Sequence, residues 1–163
     1  MIINGWSIYA HPLFLNQVTR LVEGVERDRI KDPTSYQARP NAKLLKAIRT
    51  ITQERIPHDP TDRRYRLGST LGSSHKHWFR DKFGNSRFRL FFRFDMKAKV
   101  IVYAWVNDET TLRTYGKKTD AYAVFTSMLT DGNPPDSWDN LLASCSDPEI
   151  VAKAAALLKN NSD

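Results

Sequence analysis

Basic side chains and aromatic rings alternate in one stretch of the sequence, HWFRDKFGNSRFRLFFRF at residues 77–94. Arg80 and Lys82 are two residues apart, and Arg89 follows after a Gly-Asn-Ser turn, so the periodicity of a β-strand brings these cations together on one face of a hairpin. Like charges that lie opposite each other destabilise a sheet, whereas bound phosphate groups would offset this repulsion. Aromatic rings beside cations also suit the stacking of unpaired bases. The pattern therefore predicts a surface that binds nucleic-acid phosphates.

The net charge of +7 is concentrated in the middle of the 163-residue chain. Residues 63–93 contain nine Lys or Arg and one acid, Asp81, which give +8, whereas the six acids and two lysines of residues 131–163 give −4. Such asymmetry indicates a polyanionic partner at a defined patch. A general solubility charge is the alternative explanation. For Arg89, which has apolar neighbours, the alternative is a buried ion pair with Asp95 or Asp108.

The spacing of potential ligands does not indicate a metal or nucleotide cofactor. His75 and His77 are close together, but no carboxylate or cysteine accompanies them at ligand spacing, so we expect neither zinc nor magnesium. The sequence contains no G-x-x-x-x-G-K-[ST] loop and no Gly-rich dinucleotide turn. The single cysteine, Cys145, has no nearby His or cation, and we interpret it as incidental.

One metal-free reaction fits these residue types. In RNA cleavage the 2′-hydroxyl attacks its own phosphate, cations stabilise the added negative charge, and a Lys, Tyr or His moves protons. The chain has no uninterrupted apolar run of about 18 residues, and its start lacks the basic and apolar segments of a leader. We therefore expect a cytoplasmic protein with no membrane partner.

The elements that must position the cations follow from periodicity and turn signals. Helical spacing predicts helices over residues 11–31 and 40–55, with His11 near a helix start and Pro57 beyond the second helix. Strands are predicted at about residues 65–67, 78–83, 87–94 and 99–106, and their short links favour an antiparallel meander. Further helices are predicted over residues 120–129, after Pro135 and within DPEIVAKAAALLKNN.

This order of elements predicts an α+β fold in a single domain over residues 1–163. Two N-terminal helices precede a four-stranded, mainly antiparallel sheet, and further helices follow it. Asp120 or Thr119 suits the N-cap of the helix that comes after the sheet.

Three motifs occur in order: NGWSIYAHPLF, then LGSS with HWFRDKFGNSRFRLFFRF, then WVNDETTLRTYGKKTDAYAVFTSML with GNPPDSW. Together they resemble the YhaV family of bacterial toxins, a branch of the RelE-like superfamily. The resemblance covers about residues 4–138, which leaves residues 139–163 as a C-terminal helical extension. It implies a RelE-like domain that acts as the toxin of a type II toxin–antitoxin system.

The activity implied by this resemblance is that of an mRNA interferase. Such an endoribonuclease works without a metal or another cofactor and blocks translation and growth, on ribosomes in our interpretation. The implied partners are mRNA, the ribosome and a PrlF-type antitoxin with an AbrB-like swapped-hairpin domain. Operator DNA would be bound only through the antitoxin complex.

The resemblance also implies roles for individual residues. Arg80 and Lys82 match a pair of basic residues on one strand, Arg89 matches the Arg of the next strand, and Tyr122 falls at the place of a helix Tyr. The basic residue expected after the last strand has three candidates, which are Arg113, Lys117 and Lys118. We interpret these seven residues as catalytic. The residues predicted to bind substrate are Arg87, Arg93, His77, Asn107, Asp108 and Tyr115.

Three alternatives remain at this level. Tyr122 is equally compatible with an ordinary core position in its helix. A non-catalytic RNA- or DNA-binding module would explain the basic, aromatic sheet as well as a ribonuclease does. A structural ribosome-associated protein would explain the charge, but not the tyrosines and the Asn-Asp pair that follow the last strand.

Overall fold

A computed structural model, which describes residues 1–159, shows a five-stranded mixed sheet with helices packed on both faces. The strands are β1 (Ile2–Ile3), β2 (Trp6–Ala10), β3 (Phe79–Phe83), β4 (Phe88–Asp95) and β5 (Val100–Val106), in the spatial order β1-β2-β5-β4-β3. β2 is parallel to β5, and the other neighbouring strands are antiparallel. The predicted α+β class is confirmed, whereas the four-stranded antiparallel sheet is wrong in its details.

The helices are α1 (Pro12–Lys31), α2 (Pro40–Thr50), α3 (Ile56–His58), α4 (Ala121–Asp131), α5 (Trp138–Cys145) and α6 (Pro148–Leu158). A π-helical turn, Ile51–Arg55, joins α2 to α3 without a break. Short 3₁₀ turns occur at Tyr36–Ala38, Arg63–Tyr65 and Ser73–His75. The last two residues of the predicted final helix lie outside the described part of the chain. No helix within residues 1–159 is both long and apolar enough to cross a membrane.

Two errors in the strand prediction have a local cause. The N-terminal strands β1 and β2 were not predicted. Asn4 and Gly5 join them, and their φ values of 50° and 81° are those that a two-residue hairpin turn requires. Residues 65–67 do not form a strand. Asp62 instead caps a 3₁₀ turn by accepting a hydrogen bond from the Arg64 amide at 2.9 Å, and only an isolated bridge joins Arg66 to Phe79.

Strand alternation divides the core into two layers. One face of the sheet packs against α1, α2 and α6 and includes Phe83, Leu90 and Phe92. The opposite face, which includes Phe91 and Trp105, packs against α4 and α5. A bulge in β5 pairs Phe92 with Tyr103 but Phe91 with Trp105. The extra residue between them lets Tyr103 face one layer of the core and Trp105 the other.

His11 and Asp120 are N-caps of α1 and α4, and Asp120 is the one of the two predicted candidates, Asp120 and Thr119, that has this role. His11 accepts a hydrogen bond from the Leu13 amide through Nδ1 at 3.1 Å, and burial lowers the pKa of His11 to about 4, which keeps its ring neutral. Asp120 accepts a hydrogen bond from the Tyr122 amide at 3.0 Å.

Pro57 lies inside the second helical segment rather than beyond its end. Proline has no N–H, so it cannot donate to the Thr52 carbonyl five residues earlier in the π-helical turn. The buried Tyr103 hydroxyl donates to that carbonyl at 2.6 Å instead. Burial raises the pKa of Tyr103 well above its usual value, which keeps the hydroxyl a donor. The contact anchors the irregular helix to β5.

We expect Tyr103→Phe to lower the free energy of unfolding by about 1–3 kcal/mol, because it leaves the buried Thr52 carbonyl without a partner. Tyr9→Phe is the matched control, since the Tyr9 hydroxyl takes part in no hydrogen bond within residues 1–159. Urea unfolding of both variants measures the difference. Equal stability of the two variants would contradict the proposed role of the Tyr103 hydroxyl.

Candidate active site

Two arginines from neighbouring strands converge on one tyrosine. Arg80 on β3 and Arg89 on β4 are only 7% and 3% exposed. Each donates a hydrogen bond from Nε to the hydroxyl oxygen of Tyr122, and both distances are 3.0 Å. Arg80 and Arg89 therefore lie on one face of the hairpin, as the alternation of β3 and β4 predicted. Tyr122 of α4 covers them on that face. We refer to Arg80, Arg89 and Tyr122 as the arginine cluster.

Backbone carbonyls hold the two guanidinium groups. Arg80 donates from Nη1 to the Arg64 carbonyl at 2.7 Å. Arg89 donates from Nη1 to the carbonyls of Ser86 and Phe88 at 2.6 and 3.0 Å. Neither arginine forms an ion pair within residues 1–159, so the predicted alternative pairing of Arg89 with Asp95 or Asp108 is wrong. Buried charges ordinarily need a counterion, so this arrangement fits a bound anion.

The single acid of the basic segment points away from the arginine cluster. Asp81 lies between Arg80 and Lys82 on β3, and its side chain reaches the opposite face of the sheet. There Asp81 Oδ2 accepts a hydrogen bond from Arg55 Nε at 2.8 Å, and it lies 2.6 Å from Arg55 Nη2 in an ion pair. Burial raises the pKa of Asp81, although Arg55 opposes this shift. Asp81 is thus paired with Arg55 and forms no ion pair with Arg80 or Arg89.

Tyr122 is both a core residue and a member of the arginine cluster. Its side chain is 6% exposed, and its ring meets the Phe91 ring edge-on at a centroid distance of 5.7 Å. Its hydroxyl nevertheless reaches the two arginines. The ring of Tyr122 is thus an ordinary core group, as one of the two interpretations predicted. Its hydroxyl is not, because it binds the two arginines.

Among the three candidates for the later basic residue, the structure brings Arg113 to Tyr122. The Arg113 guanidinium carbon lies 4.7 Å from the centre of the Tyr122 ring and 3.7 Å from that of Tyr115. Arg113 also donates to Asp120 Oδ1 at 2.5 Å. Lys117 and Lys118 are exposed, and their side chains form no hydrogen bond or ion pair in the described part of the chain.

Asn107, which was predicted to bind substrate, is buried, and its side chain holds backbone groups. Its Oδ1 accepts from the Arg89 amide at 2.6 Å, and its Nδ2 donates to the carbonyls of Arg87 and Thr111 at 3.0 and 2.9 Å. The carboxylate of Asp108 accepts hydrogen bonds from Thr110 and Thr111. Asn107 thus fixes the loop after β5 against the start of β4, and Asp108 holds the turn within that loop.

Three predicted residues remain accessible around the arginine cluster. Lys82 is exposed and lies directly opposite Arg89 in the strand register. Arg87 is also exposed, and its carbonyl accepts from the Arg113 amide at 3.1 Å. Tyr115 is 80% exposed and stacks on Arg113. Exposed cations and an exposed aromatic ring thus border the buried arginines.

Arg93 and His77 belong to a second cluster, which does not share a hydrogen bond with the arginine cluster within residues 1–159. The Arg93 guanidinium carbon lies 5.5 Å from the ring centre of Trp78 and 5.4 Å from that of Trp138. Arg93 donates to the Asp136 carbonyl at 2.5 Å, and His77 Nε2 lies 2.8 Å from Asp136 Oδ1. The carboxylate that reaches the histidine pair is 59 residues from His77 in the sequence, so spacing along the chain did not indicate it.

The functional residues that sequence reasoning missed are Asp120 and Asp136. Asp120 was predicted only as a helix cap, and its pairing with Arg113 carried no sequence signal. Burial raises the pKa of Asp120, but hydrogen bonds from Arg113 and the amides of Thr114 and Tyr122 outweigh it and lower the pKa below its ordinary value. Asp120 thus positions Arg113 and Tyr122 at the same time.

The fold and the site define a class: an α+β protein whose sheet carries two buried arginines without an acid partner, with exposed cations beside them. The chain belongs to the YhaV family, described as toxins with endonuclease activity from toxin–antitoxin systems, which matches residues 8–146. The protein is therefore a toxin of a toxin–antitoxin system with endonuclease activity, and an antitoxin partner is implied. This finding confirms the resemblance carried by the three motifs.

Relatives from Escherichia coli support the assignment. The chain is 49% identical over 140 residues to Toxin YhaV of Escherichia coli O6:H1 and to Ribonuclease toxin YhaV of Escherichia coli K12. Each alignment covers 85% of this chain and 91% of the relative. No solved structure matches the chain.

We expect Asp120→Asn to reduce the free energy of unfolding at pH 7 by about 1.5–3 kcal/mol, because hydrogen bonds to a charged acceptor become hydrogen bonds to a neutral one. The folded pKa of Asp120 is lowered, so its contribution is present above the unfolded value of about 3.9 and is lost as the pH falls through the folded value. The gap between wild type and variant should therefore close below about pH 4.

Chemical denaturation between pH 3 and pH 8 measures this gap. Asp131→Asn, at an exposed position in the same helix, is the control and should change stability by less than about 0.5 kcal/mol. A gap that stays constant down to pH 3 would contradict the role of the Asp120 charge.

Proposed function

We propose that this toxin is a metal-independent endoribonuclease that cleaves mRNA on ribosomes through attack of the 2′-hydroxyl on the adjacent phosphate. The observation that carries the proposal is the pair of buried arginines without an acid partner, which share the hydroxyl of Tyr122. One of the relatives is named a ribonuclease toxin, which supports RNA as the substrate. Preorganised cations stabilise the charge that develops on phosphate during this reaction.

Each arginine of the cluster has one amino nitrogen left for substrate. The hydrogen bonds of Arg80 and Arg89 use Nε and Nη1, and their Nη2 atoms donate to no group within residues 1–159. No buried side-chain nitrogen or oxygen lacks a partner in the described chain, so these Nη2 atoms reach solvent. The two Nη2 groups would hold the non-bridging oxygens of the scissile phosphate.

Tyr122 also keeps one group free. A phenol has one O–H donor, and its oxygen has lone pairs that here accept the Nε–H groups of Arg80 and Arg89. The hydroxyl hydrogen can therefore donate to a bound anion or position the nucleophile. Tyr122 would align the reaction while the arginines supply the positive charge.

Proton transfer is assigned to an exposed lysine. Lys82 lies opposite Arg89 on the sheet, and its side chain makes no hydrogen bond or ion pair in the described chain. The Lys117–Lys118 pair is the second candidate, since both residues are exposed in the loop that ends at Asp120. Arg113 is paired with Asp120, so we propose that it positions Tyr122 and stabilises charge rather than moves protons.

The exposed rim of the site provides contacts for RNA beyond the scissile phosphate. Tyr115 is 80% exposed, and Arg113 stacks on its ring. An exposed ring of this kind suits the stacking of an unpaired base. Arg87 would contact a neighbouring phosphate because its side chain is exposed next to Arg89.

The remaining parts of the proposal concern the cellular setting. We propose a RelE-like toxin domain that works in the cytoplasm and is neutralised by a PrlF-type antitoxin with an AbrB-like domain. The +8 charge of residues 63–93 supports an acidic antitoxin segment that covers the cations in the resting complex. Operator DNA would be bound only through that complex.

Expression of the toxin without its antitoxin should arrest bacterial growth, and Arg80→Ala should relieve the arrest. Loss of one positioned cation at a developing charge costs about 2.7–4 kcal/mol, which is roughly a hundredfold or more in rate. Arg63→Ala, which removes an exposed charge from the same basic segment, is the control and should remain toxic.

Growth curves and the initial rate of RNA cleavage measure the effect, and circular dichroism checks that Arg80→Ala protein is folded. Full toxicity of a folded Arg80→Ala protein would disprove the assignment. Binding of RNA without cleavage by the wild type would favour the alternative of a non-catalytic RNA-binding module.

Replacement of the 2′-hydroxyl at the cleavage site by a 2′-methoxy group should abolish cleavage while RNA still binds, because the nucleophile is removed and the phosphate contacts remain. The unmodified product should carry a 2′,3′-cyclic phosphate or a 3′-phosphate, next to a 5′-hydroxyl. End-labelled RNA, alone and on programmed ribosomes, measures both outcomes. Cleavage of the methoxy substrate, or loss of cleavage in EDTA that Mg²⁺ restores with intact ribosomes, would refute the metal-free mechanism.

A further inference from the structure

Three potential metal ligands meet at a point that the proposed ribonuclease chemistry does not use. The ligating atoms of His75, His77 and Asp136 all lie within 4.8 Å of one another. Asp136 Oδ1 lies 3.1 Å from His75 Nδ1 and 2.8 Å from His77 Nε2. The carboxylate comes from the link between α4 and α5, so tertiary structure alone completes the set.

Neighbouring side chains hold this set in place. Trp78 is fully buried and donates from Nε1 to Asp136 Oδ1 at 2.8 Å, which fixes the orientation of the carboxylate. Arg93 donates to the Asp136 backbone carbonyl at 2.5 Å and lies between the rings of Trp78 and Trp138. Residues that orient a ligand in this way raise the affinity of metal sites.

The distances agree with a tetrahedral ion. Zinc binds histidine nitrogen and carboxylate oxygen at about 2.0–2.2 Å, so two ligand atoms of a tetrahedral site are about 3.3–3.5 Å apart. The two histidine–carboxylate separations of 3.1 and 2.8 Å are shorter by only a few tenths of an ångström, and the ligand nitrogens of the two histidines lie no more than 4.8 Å apart.

The three side chains are partly exposed, and one oxygen of Asp136 has no hydrogen bond from the described residues. The side chains of His75, His77 and Asp136 are 17%, 36% and 38% exposed, so an ion can enter from solvent. Every hydrogen bond from the described residues to this carboxylate goes to Oδ1, and Oδ2 remains free. The cation Arg93 is directed to the backbone carbonyl of Asp136, so it does not occupy that free oxygen.

We propose that His75, His77 and Asp136 form a binding site for a divalent transition metal, with zinc as the preferred ion. Two imidazoles and one carboxylate suit zinc better than magnesium or calcium, which prefer oxygen ligands alone. Water would complete the coordination at the fourth position. The ion would connect the 3₁₀ turn Ser73–His75 to the link before α5 and so fix the segment that leads into β3.

This proposal is independent of the ribonuclease mechanism, and its experiment does not use activity. Protein without a histidine tag is titrated with Zn²⁺ in competition with a chromogenic chelator, and Co²⁺ is bound in parallel to record its visible spectrum. We expect one ion per chain, a tetrahedral Co²⁺ spectrum and a melting temperature that rises when Zn²⁺ is added.

His77→Gln and Asp136→Asn should each weaken Zn²⁺ binding at least about tenfold, and Zn²⁺ should no longer raise their melting temperature. Asp136→Asn keeps the size of the side chain and an acceptor for Trp78, so it preserves the local fold. His58→Gln is the matched control, because His58 is exposed and lies outside the cluster. It should bind Zn²⁺ as the wild type does.

Two results would overturn the proposal. One is wild-type protein that fails to retain Zn²⁺ against the chelator, which would show that the three residues form only a hydrogen-bonded cluster. The other is equal Zn²⁺ affinity of the wild type, Asp136→Asn and His77→Gln, which would place the ion elsewhere. Both results can be read from folded proteins, as checked by circular dichroism.

Discussion

The hydroxyl oxygen of Tyr122 is the point on which the candidate active site depends. Arg80 and Arg89 approach it through their Nε–H groups, and within residues 1–159 no carboxylate pairs with either arginine. A neutral oxygen orients two cations without cancelling their charge. The site therefore keeps a concentrated positive charge in a partly desolvated place, where it interacts with an anion more strongly than it would in water.

Hydrogen bonds from the surrounding structure hold the residues of the candidate active site in position. Backbone carbonyls hold the guanidinium groups, Asn107 fixes the amide of Arg89, and Asp120 fixes both Arg113 and the start of the helix that carries Tyr122. The acid that could neutralise the arginines, Asp81, is bound to Arg55 on the other face of the sheet. Alternation along β3 thus separates the Asp81–Arg55 ion pair from the cations of the candidate active site.

Elements whose signals are local were predictable from the sequence. The long helices, the β3–β4 hairpin and β5 follow from periodicity, and the Asn4-Gly5 dipeptide was an available but unused signal for the N-terminal hairpin. The parallel pairing of β2 with β5 was not predictable, because it joins strands from distant parts of the chain. The π-helical turn before Pro57 also depends on a distant group, since the Tyr103 hydroxyl satisfies its Thr52 carbonyl.

For the site, the sequence by itself determined that Arg80, Lys82 and Arg89 share one face, and its motifs indicated the family. Only the tertiary structure decided the partners of these residues: it placed the Tyr122 hydroxyl between two arginines, selected Arg113 as the cation on Tyr122 and brought Asp136 to the histidine pair. The physical reason is that alternation is a property of a single strand. The partners of a side chain instead come from elements far away in sequence, whose approach is set by the packing of both faces of the sheet.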